Sequence, residues 1–460
     1  MNPEEELLQR LNSFSISTPV IGSGDFPVHV VYGGAHLFKA NTISKIGSIA
    51  LKSLESNASD FCDFARAVWL RGAESLPNDR DAIRDMEFRL ADRPEEMKAT
   101  EGDAHFAWTI YNRIYEKLRR RPVEDFRIDF EDGFGIRPDE EEDAECVRVA
   151  SELVSAVAGM ETETRFGFRI KSFQKETRGR SVRTLGLFLR EFAERANGRL
   201  PAGFCVTLPK VRNPLETEAL RKYLDTTETE LGLPPESVEI EFMVETPEAL
   251  ENLAEIAEGC GRRLASAHFG AYDYTASLGI AAVHQHLRHD ACVYARNRML
   301  EVLAPLGIRL SDSVTTEMPV PIHRYENLSI TQIAENRVAV REGWRTHFNN
   351  VMHSQIAGFY QSWDLHPAQL VARYAAVYSF YLEAFDEQAR RLKRFLESAT
   401  KALTTGTTFD DLASAEALLS FARRGVAANA FTEDEVLQTT GISAAELKSG
   451  SFSSILLSRS

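Results

Sequence analysis

The chain has 460 residues, 43% hydrophobic and 26% charged, with a formal net charge of -15. That length can bury a large core, and an acidic surface repels phosphate backbones, so nucleic-acid binding would need a local basic patch. No run approaches the roughly 18 apolar residues of a membrane span, and the acidic opening from Met1 to Glu6 lacks an apolar signal segment. The five cysteines, Cys62, Cys146, Cys205, Cys260 and Cys292, are scattered without C-x-x-C spacing, so a reducing, cytoplasmic setting is expected. The best basic run, Lys117-Leu-Arg-Arg-Arg121, ends a helical pattern and is expected to be a solvated helix end.

After a polar lead over 1–27, the first strand is expected at Val28–Tyr32, with Gly33-Gly34 ending it before a helix from about Thr42 to Glu55. Residues 61–122 read as a helical insertion in which the spacing of Trp69, Trp108 and Tyr111 suggests packing against a body. Regular alternation follows. Strands are expected at Phe126–Phe130, Arg165–Ile170, Phe204–Leu208, Val238–Val244, Leu264–Phe269, Ile308–Ser311 and Ile356–Tyr360, each followed by a helical pattern. Eight strand-helix units in succession predict a parallel TIM (β/α)8 barrel over 28–383, since strands buried on both sides must return through covering helices. A doubly wound open sheet is the rival, but the glycine-rich dinucleotide fingerprint is missing. From 384 to 460 the periodicity is purely helical, with breaks at Thr404–Thr408 and Gly425, and reads as a separate C-terminal helical extension or a lid.

Barrels of this kind carry their chemistry at the C-terminal ends of the strands. Those ends hold Asp129-Phe-Glu-Asp132, Arg169-Ile-Lys171, Lys210, Glu245, Asp273, Asp312 and His366. Most have a bland alternative: a capping turn for Asp132, a purely structural partner of the acids for Arg169, a solvated side chain for Lys210, a helix N-cap or first-turn acid for Glu245 or Asp273, and a helix cap for His366. Period-two alternation turns Asp129 and Glu131 inward, where acids are costly unless paired, and Arg169 is the obvious counter-charge. Glu245 and Asp273, on neighbouring strands, would need a cation or a proton between them. Two carboxylates that leave most of an octahedral shell open suit Mg²⁺ or Mn²⁺. A hard ion beside a guanidinium suits the holding of a 2-oxo acid while charge builds on its oxygen as an enolate.

In order and spacing, Asp129-Phe-Glu-Asp, Arg169-Ile-Lys, Leu208-Pro-Lys-Val, Glu245-Thr, Gly270-Ala-Tyr-Asp273 and Leu365-His-Pro-Ala-Gln369 resemble the HpcH/HpaI aldolase and citrate lyase beta-subunit family of the phosphoenolpyruvate/pyruvate barrel superfamily. The resemblance implies a Mg²⁺-dependent carbon-carbon lyase or aldolase, in which Glu245 and Asp273 are the metal ligands and Arg169 grips the enolate or carboxylate. Asp132 would orient Arg169 or metal-bound water, and Lys210, Asp312 and His366 would bind substrate. It also implies a small oxo-acid substrate and a homo-oligomer, trimer or hexamer. Lys171 stands where the family usually has Asn, placing a second cation in the site and favouring a more anionic substrate. His36 is in the region of the pyruvate-aldolase base without matching its motif. The alternatives are a CoA-thioester lyase or thioesterase of the same family, and a non-catalytic barrel that senses an oxo acid.

Overall fold

A computed structural model describes residues 26–159, 164–405, 412–448 and 451–459, with the backbone alone over 400–405. Eight parallel strands close into a barrel in chain order: β1 (His29–Gly34), β2 (Asp125–Asp129), β3 (Arg165–Arg169), β4 (Cys205–Leu208), β5 (Glu239–Val244), β6 (Leu264–Phe269), β7 (Arg309–Asp312) and β8 (Gln361–Asp364). Closure is made by β8 on β1, through His29↔Ser362 and Val30↔Trp363. Ile128, Phe168, Val206 and Phe242 are wholly buried on the outer face of the sheet, in the core shared with the helix ring. Among the described residues, no helix is long and apolar enough to cross a membrane.

The inner face is polar. Arg127 on β2 donates to Glu241 on β5 from Nε (3.2 Å) and Nη2 (2.9 Å), and strands that are not neighbours can meet only across the barrel interior. Glu241 also accepts from Tyr32 Oη (3.1 Å), Thr207 Oγ1 (2.6 Å) and Ser266 Oγ, and lies 2.7 Å from His268 Nε2. Burial opposes ionisation of Glu241, but Arg127 and then His268 outweigh it and hold the carboxyl well below its usual range. These side chains fill the barrel where most members of the fold use branched aliphatics.

The eighth strand is not where hydropathy predicts it. Ile356 ends the helix Ile330–Ile356, the chain turns at Gly358 (φ 90°), and the strand is the polar Gln361-Ser-Trp-Asp364. Its polar groups are paired: Arg373 donates to Ser362 Oγ at 2.7 Å and to Asp364 Oδ1 at 2.9 Å, and Asp364 also meets His29 and His347 at 2.7 and 2.8 Å.

The insertion folds as the helices Phe61–Val68, Arg80–Asp92, Pro94–Thr100 and Gly102–Arg120. It is fastened to the body by Arg341 on Asp63 (2.6 Å) and Arg345 on Ala67 O (2.7 Å). Trp69, expected to pack inward, stays 67% exposed beneath Arg345. Lys117 is not solvated either: it is buried, with Nζ 2.5 Å from Glu124.

The boundary expected at 383/384 falls inside one continuous helix, Gln369–Thr405. Gly425 does not break the helix Leu412–Ala427; a Cβ there would meet the Phe431 ring at 2.0 Å, so glycine admits that ring. Arg424 of this helix lies over Tyr360 (4.1 Å) and Phe26 (5.2 Å), at the N-terminal ends of β8 and β1. The extension thus contacts the end of the barrel opposite the mouth. The lead expected at 1–27 lies outside the described residues up to 25, as does the break expected at Thr404–Thr408 from 406 onward.

Candidate active site

At the end of β5 the chain turns at once into a helix, because the Thr246 side chain accepts from Ala249 N (3.2 Å) and Pro247 occupies the first turn. Glu245 is left at the barrel mouth, 2% exposed, with Oε2 accepting from Lys210 N at 2.7 Å. Lys210 can aim its N–H there because its backbone is left-handed (φ 54°), which a non-glycine residue adopts only at a cost. Beside Glu245, Gly270 follows the neighbouring strand β6 and opens the helix Ala271–Ser277, whose first turn carries Asp273.

Burial, and then the charge of Asp273, push the Glu245 carboxyl up to about 8 against the pull of Arg169. A buried acid whose charge is opposed by a second acid wants a proton or a cation beside it. No cluster of three or more His, Cys, Asp or Glu able to hold a metal occurs among the described residues. The donors present are therefore two carboxylates, which fit a hard divalent ion that takes its remaining oxygens from water and substrate.

Gly270 makes room for this arrangement. A Cβ there would lie 2.4 Å from Glu245 Cγ and 2.6 Å from Oε1. Gly270→Ala is expected to displace Glu245 and weaken divalent-ion affinity by at least about tenfold, read by calorimetric titration.

The raised carboxyl also sets a pH dependence. Between its ordinary value of 4.5 and about 8, Glu245 keeps a proton in the folded chain that it loses in the unfolded one. The folded state binds the extra proton, so the stability of the metal-free protein falls as pH rises through that window. In chelator, melting temperatures should drop from about pH 5 to about pH 8 more steeply than those of Glu245→Gln, and a saturating divalent ion should remove the difference.

Arg169 ends β3 and points into the mouth. Its Nε donates to Asp129 Oδ1 (2.7 Å) and Nη2 to Asp129 Oδ2 (2.5 Å), while Nη1 lies 3.1 Å from Glu131 Oε2. Asp129 is itself fixed by Glu131 N (2.9 Å) and Gly133 N (2.7 Å), so it is the residue that caps this turn. Glu131 receives Lys210 Nζ at 2.7 Å. Burial raises the Glu131 carboxyl, with the Asp132 charge adding to it and Arg169 opposing.

Arg169, Lys210, Glu245, Asp273 and, at the rim, Asp132 are brought together. Asp132 is 60% exposed, 3.8 Å from Arg169 Nη1 and 3.5 Å from Lys210 Nζ. Glu131 holds both cations more closely than Asp132 does, and the inward alternation that singles it out was the signal for choosing it. Tyr32, beneath the Arg169 guanidinium at 5.0 Å, carried no such signal.

Three expected site residues go elsewhere. Lys171 lies outside the sheet: its Nζ meets Glu142 of the helix Asp139–Ala158 at 2.8 Å and donates to Phe130 O at 2.5 Å. Asp312 faces the helix ring, accepting from Ser354 Oγ (2.6 Å) and lying 3.4 Å from Arg296. His366 caps the start of the helix Gln369–Thr405, its Nδ1 accepting from Ala368 N at 3.1 Å, and burial lowers its pKa. His36 is half-buried against Phe134, and among the described residues its Nδ1 has no hydrogen-bond partner.

Fold and site together define a parallel (β/α)8 barrel with a carboxylate-rich mouth into which the Arg169 guanidinium points. The family described as a domain of unknown function (DUF6986) matches residues 18–455, and the chain belongs to it. No curated protein matches. Among solved structures, the chain is similar to Haloferax volcanii malate synthase at 18% identity and TM-score 0.43, covering 56% of this chain and 69% of that one. RipC from Yersinia pestis is similar at 18% identity and TM-score 0.37, covering 56% and 89%. CitE from Mycobacterium tuberculosis, in complex with magnesium and acetoacetate, is similar at 17% identity and TM-score 0.35, covering 58% and 87%. At these identities and TM-scores the likenesses carry nothing about this chain's chemistry.

Proposed function

We propose that the protein is a divalent-cation-dependent carbon-carbon lyase or aldolase acting on a hydroxy-oxo acid, with Mg²⁺ as the ion, in the manner of the HpcH/HpaI and citrate lyase beta-subunit enzymes it resembles. The observation that carries the reading is the Glu245–Asp273 pair, its buried member raised to about 8, set in the same mouth as the inward Arg169. Glu245 and Asp273 would hold the ion, which when bound supplies positive charge to the oxygens of the oxo acid.

The chain's own groups account for the rest. Asp129 takes two of the five N–H groups of Arg169, leaving its far edge for Glu131 and for a substrate oxygen on which charge develops. Glu131, between Arg169 and Lys210, is the acid set to take the proton of the substrate hydroxyl. As that proton leaves, the hydroxyl carbon becomes the carbonyl of the departing fragment, the carbon-carbon bond breaks with its electron pair passing to the oxo-acid fragment as an enolate, and reprotonation of that enolate at carbon gives the second product.

The test is a metal-dependent assay for release of pyruvate, glyoxylate or oxaloacetate from a panel of hydroxy-oxo acids. Glu245→Gln combined with Asp273→Asn should abolish release. Turnover that survives both changes would sink the metal site, and oxo-acid binding without release from any panel member would favour the sensor reading.

A further inference from the structure

One wall of the mouth carries no charge. Val30, Tyr32, Met243, Val314 and Trp363 form an apolar cluster apart from the main core, with Tyr272 packed against it. Trp363 stacks on Tyr32 with centroids 4.7 Å apart and 27° between planes. The Arg169 guanidinium sits 5.0 Å over the Tyr32 ring, and its Nη1 lies 3.8 Å from Met243 Sδ, so the ionic and aromatic walls meet at Arg169.

Trp363 is 8% exposed, and among the described residues its indole Nε1 has no hydrogen-bond partner. The buried Trp344 does have one, donating to Ala368 O at 2.9 Å. A buried donor with no acceptor is destabilising unless a ligand supplies one.

The charges point the same way. Asp129, Glu131, Asp132, Glu245 and Asp273 surround Arg169 and Lys210, and both cations are already ion-paired. Lys171, the cation that would have favoured a more anionic substrate, is outside the barrel on Glu142. Five carboxylates against two cations stay net negative even with a divalent ion bound, so a substrate carboxylate is tolerated only in direct contact with the ion or Arg169, and a second one without such contact is repelled.

On the lyase reading above, we propose that the mouth selects monoanionic 2-oxo acids, or their aldol adducts, whose substituent is flat and apolar and packs beside Trp363 and Tyr272, with the indole N–H donating to a ligand oxygen. A dianionic oxo acid of similar size is disfavoured.

Calorimetric titration of the full chain in Mg²⁺ with pyruvate, phenylpyruvate and 2-oxoglutarate tests this. Phenylpyruvate should bind roughly tenfold tighter than pyruvate, and 2-oxoglutarate weakest of the three. Trp363→Phe, which keeps a ring and loses the donor, should weaken phenylpyruvate roughly fivefold, and Tyr272→Ala, at a half-buried position, should reduce its advantage over pyruvate. Phenylpyruvate binding no tighter than 2-oxoglutarate, or both variants leaving the affinities unchanged, would overturn the inference while leaving the lyase reading intact. Failure of all three acids to bind would overturn both.

Discussion

Arg169→Lys should reduce oxo-acid release by about 10³-fold in kcat, with a smaller change in KM. A guanidinium engages Asp129 through two N–H groups, faces Glu131 with a third nitrogen and sits 5.0 Å over the Tyr32 ring. An ammonium is a single point of charge and cannot hold all three at once. The fold should survive, because Asp129 still accepts the backbone N–H groups of Glu131 and Gly133. Steady-state kinetics with a melting curve as control would decide it, and a variant within about tenfold of the parent would remove Arg169 from the chemistry.

Glu241→Ala should destabilise the protein by about 3–5 kcal/mol. Glu241 is wholly buried and is the acceptor shared by Arg127, Tyr32, Thr207 and Ser266. Its removal leaves Arg127 in the barrel interior with Asp125 as its remaining carboxylate. Adding Arg127→Met to Glu241→Ala should recover part of the loss, since the charge that lacks a partner is then gone. Chemical denaturation of the single and double variants measures the coupling; a double variant less stable than Glu241→Ala would refute this account of the network.

Most strands were legible in the sequence because their outward residues, such as Ile128, Phe168, Val206 and Phe242, form apolar runs between turn signals. β8 was not, since three of its four residues are polar and are stabilised by partners as distant in sequence as His29. At the mouth, alternation identified Arg169 as inward. Carried two residues past β2 it also points Glu131 inward, where the ion pairs with Arg169 and Lys210 rather than the sheet hold it, and with Ser311 bridging to Gln361 in the sheet it puts Asp312 on the opposite face from Ser311. Lys171 shows where alternation stops: β3 ends at Arg169, and two residues later the chain has left the sheet, so period two no longer governs where a side chain points. Trp363 belongs to the misassigned strand, and with it the aromatic wall was missed.

The helix Gln369–Thr405 begins at the His366 cap beside the mouth and runs, at about 1.5 Å per residue, for roughly 55 Å. Its Tyr374 donates to Pro122 O at the end of the insertion, and its Tyr381 and Phe385 pack on Phe431 of the extension. A chain cut at residue 383 would lose half of a helix that the barrel, the insertion and the extension all share, and the remaining stub would fray back toward the mouth. Barrel and extension should therefore melt in one cooperative transition, and limited proteolysis should not release the extension as a stable fragment.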